Sequence, residues 1–298
     1  MSTRNYFILW RRWKHSISTK HIATRSILKD GNTMPLFGFG CYKLADNMTK
    51  SSVSTALKHG YRLIDTAQQY GNEKFIGQAL RESKLQREDF FVVTKLSYSN
   101  GYAEAIKSCM ESLKLLQLDY IDLYLIHSPS TGKVIETWEA FTTLQKQGYI
   151  RSSGVSNFHK HHLKPLLDSG LPAPVVNQIE YHPWNQQTDL LNYCRQHDIN
   201  IMGYCPLARM QLFTTEHWNP RIDVICKKYE KTRTQVILRW SLQNGVITIP
   251  KSSSEARIIE NGSIFDFELD TAEMEFISDL DKGIQIASVS AKTDPWLG

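Results

Sequence analysis

Gly60-Tyr-Arg-Leu-Ile-Asp-Thr-Ala-Gln-Gln-Tyr-Gly-Asn-Glu73 carries a strand, a polar loop and a helix start in immediate succession. Leu63 and Ile64 end a short apolar run, as a buried strand does. Asp65 follows at once, Gly71 breaks the chain, and Asn72 is placed to cap a helix with Phe75, Ile76 and Leu80 on one stripe. Asp65 then sits at a strand's C-terminal end and Tyr70 in the loop beyond it. In a parallel α/β protein that is the face where chemistry takes place. Taken alone, an Asp capping a turn and a Tyr packed on a neighbour explain the stretch as well.

Outward from this stretch the pattern repeats. Strand-like runs occur at residues 37–40, 63–64, 90–96, 121–126, 150–155, 175–179, 199–204 and 246–249. Helical patterns separate them at 51–59, 72–82, 103–116, 135–147, 161–167, 189–197, 221–229 and 234–243. Regular alternation implies a parallel sheet, and eight units fit a closed (β/α)8 TIM barrel. Residues 26–36 read as an N-terminal β-hairpin around Asp30-Gly31. An open doubly wound sheet is the competing layout, but Gly38-x-Gly40 lacks the third glycine of its phosphate loop. The expectation is a single α/β domain over 26–298 with auxiliary helices, preceded by a distinct segment 1–25.

A barrel predicts functional residues just after its strands. Asp65, Lys95, His127, Ser156 with Asn157, Gln178, Tyr204 and Lys251 all lie at such places. Burying each of these unpaired costs about 1–3 kcal/mol, so packing alone explains them poorly.

The Gly60–Glu73 stretch resembles the signature of the aldo-keto reductases, and the resemblance runs over about residues 26–281. The chain looks most like their short-loop members, the diketogluconate reductases and prostaglandin F synthases. The resemblance implies NADPH-dependent reduction of small aldehydes and ketones by a monomer, with Asp65, Tyr70, Lys95 and His127 as the catalytic tetrad. Carbonyl reduction needs a hydride on carbon and a proton on oxygen. Tyr70 is the expected donor, but a free tyrosine, with a pKa of about 10, is a weak acid. A cationic Lys95 nearby is expected to lower that value. Asp65 would keep Lys95 charged, and His127 would donate to the carbonyl oxygen.

The same resemblance implies a cofactor site. Residues 249–261, Ile-Pro-Lys-Ser-Ser-Ser-Glu-Ala-Arg-Ile-Ile-Glu-Asn, open a helix after the eighth strand. Lys251, Ser252 and Arg257 would hold the 2′-phosphate, and Glu260 and Asn261 the adenine. Ser156, Asn157 and Gln178 would bind the carboxamide, Tyr204 would stack on the nicotinamide, and Cys41, Asp65, Pro206 and Leu207 would line the cofactor. Tyr42, Ser97, His127 and Ser128 would border the substrate. Ser97 and Ser128 stand where the family often has Trp, and Cys41-Tyr42 where it often has Thr-Trp. The pocket therefore lacks large aromatic walls. Two other readings stay open: an aldolase with Lys95 as Schiff-base nucleophile, and a non-catalytic NADPH-binding sensor or structural protein.

Composition bounds the rest. Residues 1–25 hold six Lys/Arg and no Asp/Glu, leaving 29 basic and 30 acidic residues elsewhere. The overall charge of +5 thus belongs to this segment, and a nucleic-acid role loses its main support. Tyr6, Leu9, Trp10 and Trp13 share one helical face there, so the segment reads as a transit peptide or as a disordered extension. Accordingly a cytoplasmic location is expected, with a mitochondrial one as the alternative. No apolar run reaches the roughly 20 residues of a membrane span. Five cysteines lack metal or redox spacing. No metal site is expected, and His159, His161 and His162 read as solvated surface.

Overall fold

The computed structural model describes residues 21–130, 132–214 and 219–287. The chain opens with a hairpin of β1 (Arg25–Ile27) and β2 (Thr33–Pro35), paired Arg25 to Pro35 and Ile27 to Thr33. Alternating strands and helices follow: β3 (Phe39–Gly40), α1 (Asp46–Lys58), β4 (Leu63–Asp65), α2 (Glu73–Glu82), β5 (Phe91–Leu96), α3 (Tyr102–Leu116), β6 (Ile121–Ile126), α4 (Val134–Lys146), β7 (Ile150–Ser156) and α5 (Lys160–Asp168). The second half comprises β8 (Val176–Glu180), α6 (Thr188–Gln196), β9 (Asn200–Tyr204), α7 (Arg221–Tyr229), α8 (Arg233–Gln243), β10 (Val246–Thr248), α9 (Glu255–Gly262) and α10 (Thr271–Ser278).

The strands from β3 to β10 form one parallel sheet in sequence order. It closes on itself where Phe37 bridges Thr248. Thr248 N donates to Leu36 O at 3.1 Å and Gly38 N to Thr248 O at 3.0 Å. This is the expected (β/α)8 barrel. Every residue of β5, β6 and β8 is buried, as in strands covered on both faces. At Gly38 a Cβ would lie 2.2 Å from Leu63 Cδ2. The glycine lets the first and second barrel strands approach; it is no remnant of a phosphate loop.

The hairpin covers the N-terminal end of the barrel. Asn32 Nδ2 donates to Arg151 O and Ser152 Oγ, each at 3.1 Å, and Ser152 Oγ donates to Asp30 Oδ2 at 2.7 Å. Both partners stand near the start of β7, so the opposite rim is left open.

Three details depart from the sequence reading. Arg25 already belongs to β1, and Ile22 packs against the core, so the folded body starts before residue 26. The rest of the basic segment, residues 1–20, lies outside the described residues. Helix α1 begins at Asp46, five residues before the expected start, because its first turns are polar and carry no apolar stripe. Helix α10 was not expected: only Ile277 is buried in it. Its start is fixed instead by a capping box, in which Asp270 accepts from Glu273 N and Glu273 from Asp270 N. No helix among the described residues is long and apolar enough to cross a membrane.

Candidate active site

The open rim gathers the residues that end the barrel strands. Lys95, at the end of β5, is wholly buried and donates to both oxygens of Asp65, at 2.8 and 2.9 Å, and to Thr66 O at 2.6 Å. All three ammonium donors are thereby used. Gln178 Nε2 donates to Asp65 Oδ2 at 2.8 Å, which ties β8 to β4 across the barrel. Burial pushes the Asp65 carboxyl up and the Lys95 ammonium down, and each charge pulls the other back toward the ionised form.

Tyr70 leans over this pair. Lys95 Nζ lies 5.1 Å from its ring centroid, and its ring meets His127 edge-on at 5.8 Å and 75°. The expected lowering of the Tyr70 pKa is not found. Burial dominates and the Asp65 charge adds to it, so the phenol is pushed well above its ordinary value. The Lys95 charge is already matched by Asp65, which leaves little to favour a phenolate. Tyr70 is held as a neutral, protonated phenol.

His127 is held neutral too. Burial, then the Lys95 charge, pushes its imidazole down to about 3, and among the described residues its Nδ1 has no hydrogen-bond partner. A neutral imidazole keeps one N–H to donate. Because the folded value lies below the ordinary 6.5, stability is lost as pH falls from about 6.5 toward about 3, where the unfolded chain binds the proton and the folded one does not. His127→Gln should therefore unfold less steeply with acid over that window. An unchanged acid-unfolding curve would contradict a neutral His127.

The loops are stitched by a residue that was given another task. Asn72 precedes α2 but its side chain caps nothing there. It accepts from Thr66 Oγ1 at 2.6 Å and donates to Cys41 O at 2.9 Å and Leu44 O at 3.3 Å. The bonds fasten the loop after β3, with Cys41 and Tyr42, to the loop that carries Tyr70. Gly71 takes φ +67 between Tyr70 and Asn72, a turn only glycine adopts freely. Tyr42, 48 % exposed, packs on Tyr70 at 5.0 Å. Ser97 N donates to Gln68 Oε1 at 3.1 Å, and Ser128 Oγ pairs with Ser130 Oγ at 2.6 Å.

The residues expected at the carboxamide form one linked set. Ser156 Oγ donates to Gln178 O at 2.9 Å, and Asn157 Nδ2 donates to His127 O at 2.9 Å and Ser156 Oγ at 3.1 Å. Tyr204 OH donates to Asn157 Oδ1 at 2.8 Å. Asn157 holds φ +63, a left-handed conformation that Asn tolerates better than most. Pro206 and Leu207 follow Tyr204 in the next loop. At the other side Ser252 Oγ accepts from Ser254 N, and Lys251 and Arg257, both exposed, flank the start of α9. Neither makes an ion pair among the described residues. Free cations at a helix N-terminus suit a phosphate. Glu255 turns aside to His59 at 3.4 Å. Asn261 is buried, and Glu260 Oε1 accepts from Thr232 Oγ1 at 2.6 Å.

Some residues were missed or misread. Glu73 is buried, accepts from Thr94 Oγ1 at 2.6 Å and lies in the field of Lys95. Glu180 is buried two residues beyond Gln178. His162 is buried, not solvated: its Nδ1 accepts from His159 N at 3.0 Å at the start of α5, while His159 and His161 are exposed. Among the described residues no three His, Cys, Asp or Glu are placed to hold a metal ion.

Residues 33–282 match the Aldo/keto reductase family. The chain is 45% identical over 257 residues to a glyoxal reductase of Bacillus subtilis, covering 86% of this chain and 92% of the relative. It is 40% identical over 258 residues to the methylglyoxal reductase DkgA of Escherichia coli, covering 86% and 93%. A crystal structure of a Bombyx mori aldo-keto reductase in complex with NADP superposes with a TM-score of 0.84 at 34% identity, covering 90% of this chain and 96% of that one. With its tetrad positions gathered on one barrel rim, the chain belongs to the aldo/keto reductase family, NADP-dependent oxidoreductases that act on carbonyl groups.

Proposed function

We propose that this barrel, as a single catalytic domain, reduces small aldehydes and ketones to alcohols with NADPH and that Tyr70 supplies the proton. The observation that carries the reading is the set Asp65–Lys95–Tyr70–His127, joined by contacts of 2.8, 5.1 and 5.8 Å. Bound NADPH supplies a hydride to the carbonyl carbon. His127 donates to the carbonyl oxygen and orients it. Tyr70 keeps its proton until the oxygen gains alkoxide character, then donates it; an alkoxide is basic enough to take a proton from even a raised phenol. Lys95, fixed by Asp65 and Thr66, holds the floor of the site beneath the Tyr70 ring. The Schiff-base alternative fits poorly, because all three donors of the Lys95 ammonium are engaged and its nitrogen has no free lone pair.

The substrate class follows from the pocket border. Ser97, Ser128 and Ser130 supply hydroxyls where large aromatics are absent, and Tyr42 supplies one face. Small polar carbonyls, α-oxoaldehydes such as glyoxal and methylglyoxal among them, fit that border. The names of two relatives point the same way. We further propose a monomer working in the cytoplasm; its five free cysteines suit a reducing compartment.

Cofactor choice rests on Lys251, Ser252 and Arg257. Arg holds a phosphate with two parallel N–H bonds. Arg257→Ala should raise the NADPH dissociation constant by about one to two orders of magnitude and leave NADH nearly unchanged. Fluorescence titration with both cofactors decides it, and equal weakening of the two would contradict the role. Because His127 stays neutral, kcat/KM for reduction should show no inflection near pH 6.5 that its titration would cause. A fall centred there, lost in His127→Gln, would contradict the assignment.

A further inference from the structure

A buried carboxylate outside the tetrad holds the last described segment of the chain over the rim. Glu180 ends β8, on the strand whose Gln178 bonds Asp65, and is 1 % exposed. Its Oε1 accepts from Ile286 N at 2.6 Å and from Ala287 N at 3.1 Å, and its Oε2 accepts from Ala287 N at 3.0 Å. His182 Nε2 lies 2.9 Å from Oε1. More than a hundred residues of chain separate the carboxylate from these backbone donors.

The rest of the segment is laced to the loop after β8. Lys282 N and Ile284 N both donate to Trp184 O, at 3.1 and 2.9 Å, and Gln186 N donates to Asp281 Oδ1 at 3.3 Å. The Lys282 ammonium stands over the Trp184 ring at 4.9 Å. Between these two sets of bonds, the Gln285 side chain hydrogen-bonds Tyr204, the residue whose hydroxyl reaches Asn157. Gly283 and Gln285 line a cleft of about 880 Å³ that Ser128, Asn157 and Glu180 also border. The segment is thus one wall of a space continuous with the residues beside His127.

We propose that Glu180 is a positioning residue for the carbonyl site, latching the strap Asp281–Ala287 across the rim so that Gln285 meets Tyr204 and the cleft keeps its outer wall. Beside its contact with the buried His182, Glu180 uses both oxygens to hold the N–H groups of one distant segment. Hydrogen bonds to a charged acceptor are about twice as strong as neutral ones. The latch is therefore strong locally while the strap itself is short and largely exposed. Its kinetic consequence rests on the reading of the rim as a carbonyl-reducing site; its structural consequence does not.

Two variants cut the latch from opposite ends. Glu180→Ala removes the acceptor, and Ala287→Pro removes a donor that reaches both oxygens. Limited trypsin digestion of the full-length chain, followed by mass spectrometry, reads cleavage after Lys282. Cleavage tracks the opened population of the segment and should rise about tenfold or more in either variant. KM for methylglyoxal should rise about tenfold with kcat within about twofold, since the lost wall contacts ground state and transition state alike. The double variant should behave as Glu180→Ala alone, because that change already removes every bond that Ala287→Pro removes. Wild-type cleavage rates in both singles would overturn the proposal, as would additive effects in the double variant. A fall in kcat at unchanged KM would overturn it too. If Glu180→Ala does not fold, Ala287→Pro carries the same readouts. If the chain reduces no carbonyl at all, the cleavage result still decides the latch while the proposed activity fails by itself.

Discussion

Tyr70→Phe is expected to lose carbonyl reduction by at least about 10²-fold and up to about 10⁴-fold, the contribution of a positioned general acid, while NADPH still binds with near wild-type affinity. The substitution removes one oxygen and keeps the ring that packs against Tyr42 and His127, at 5.0 and 5.8 Å. It leaves the buried pair beneath intact, so stability should change little. The raised Tyr70 pKa sharpens the expectation. A phenol that stays protonated is ready to donate to an alkoxide, whereas alcohol oxidation needs the phenolate, which is scarce at neutral pH. Alcohol oxidation should therefore gain more than reduction does as pH rises. Steady-state rates in both directions, with cofactor titrations of the variant, test the prediction. A variant within about tenfold of wild type would remove Tyr70 from the proton-donor role.

Lys95→Met should be the most destabilising single change at the rim. It leaves Asp65 buried with only Gln178 as a side-chain donor. Breaking a buried pair by removing one partner costs about 3–5 kcal/mol. Adding Asp65→Asn should restore most of that loss, because an uncharged pair of similar volume no longer leaves a buried charge. Activity should not return with stability, since the Asp65–Lys95 pair beneath Tyr70 is still missing. Denaturant unfolding of the two variants, beside their kcat values, separates the roles. Equal stability of the single and double variants would mean that Asp65 is not ionised in the fold.

The barrel was legible because its signal is local. Each strand is a short apolar run closed by a polar residue, and each helix carries an apolar stripe, so existence and order could be read from spacing. Elements without an apolar period were missed: the first turns of α1, and α10 with a single buried side chain. Three of the four site positions were legible for the same reason, since Asp65, Lys95 and His127 stand at strand ends, and Tyr70 follows in the loop after β4. The fine chemistry was not. Asn72 looks like a helix cap, yet its amide is drawn to Thr66 and Cys41 by a loop contact no spacing announces. The Lys95 charge was assigned to Tyr70, but the nearer Asp65 takes it and burial decides the phenol. Glu180 could not be found by pattern, because its partners are backbone N–H groups far along the chain.

The measurement closest to the central claim follows the hydride itself. Wild-type protein is mixed with NADPH deuterated at the transferring position and with methylglyoxal, glyoxal and simple ketones in turn. NADPH loss and alcohol formation are quantified together, and the product is analysed by mass spectrometry. One alcohol should form per NADPH consumed, with the deuterium on the former carbonyl carbon. Bound NADPH that is never consumed with any of these carbonyls, or an alcohol whose new C–H hydrogen comes from solvent, would contradict it.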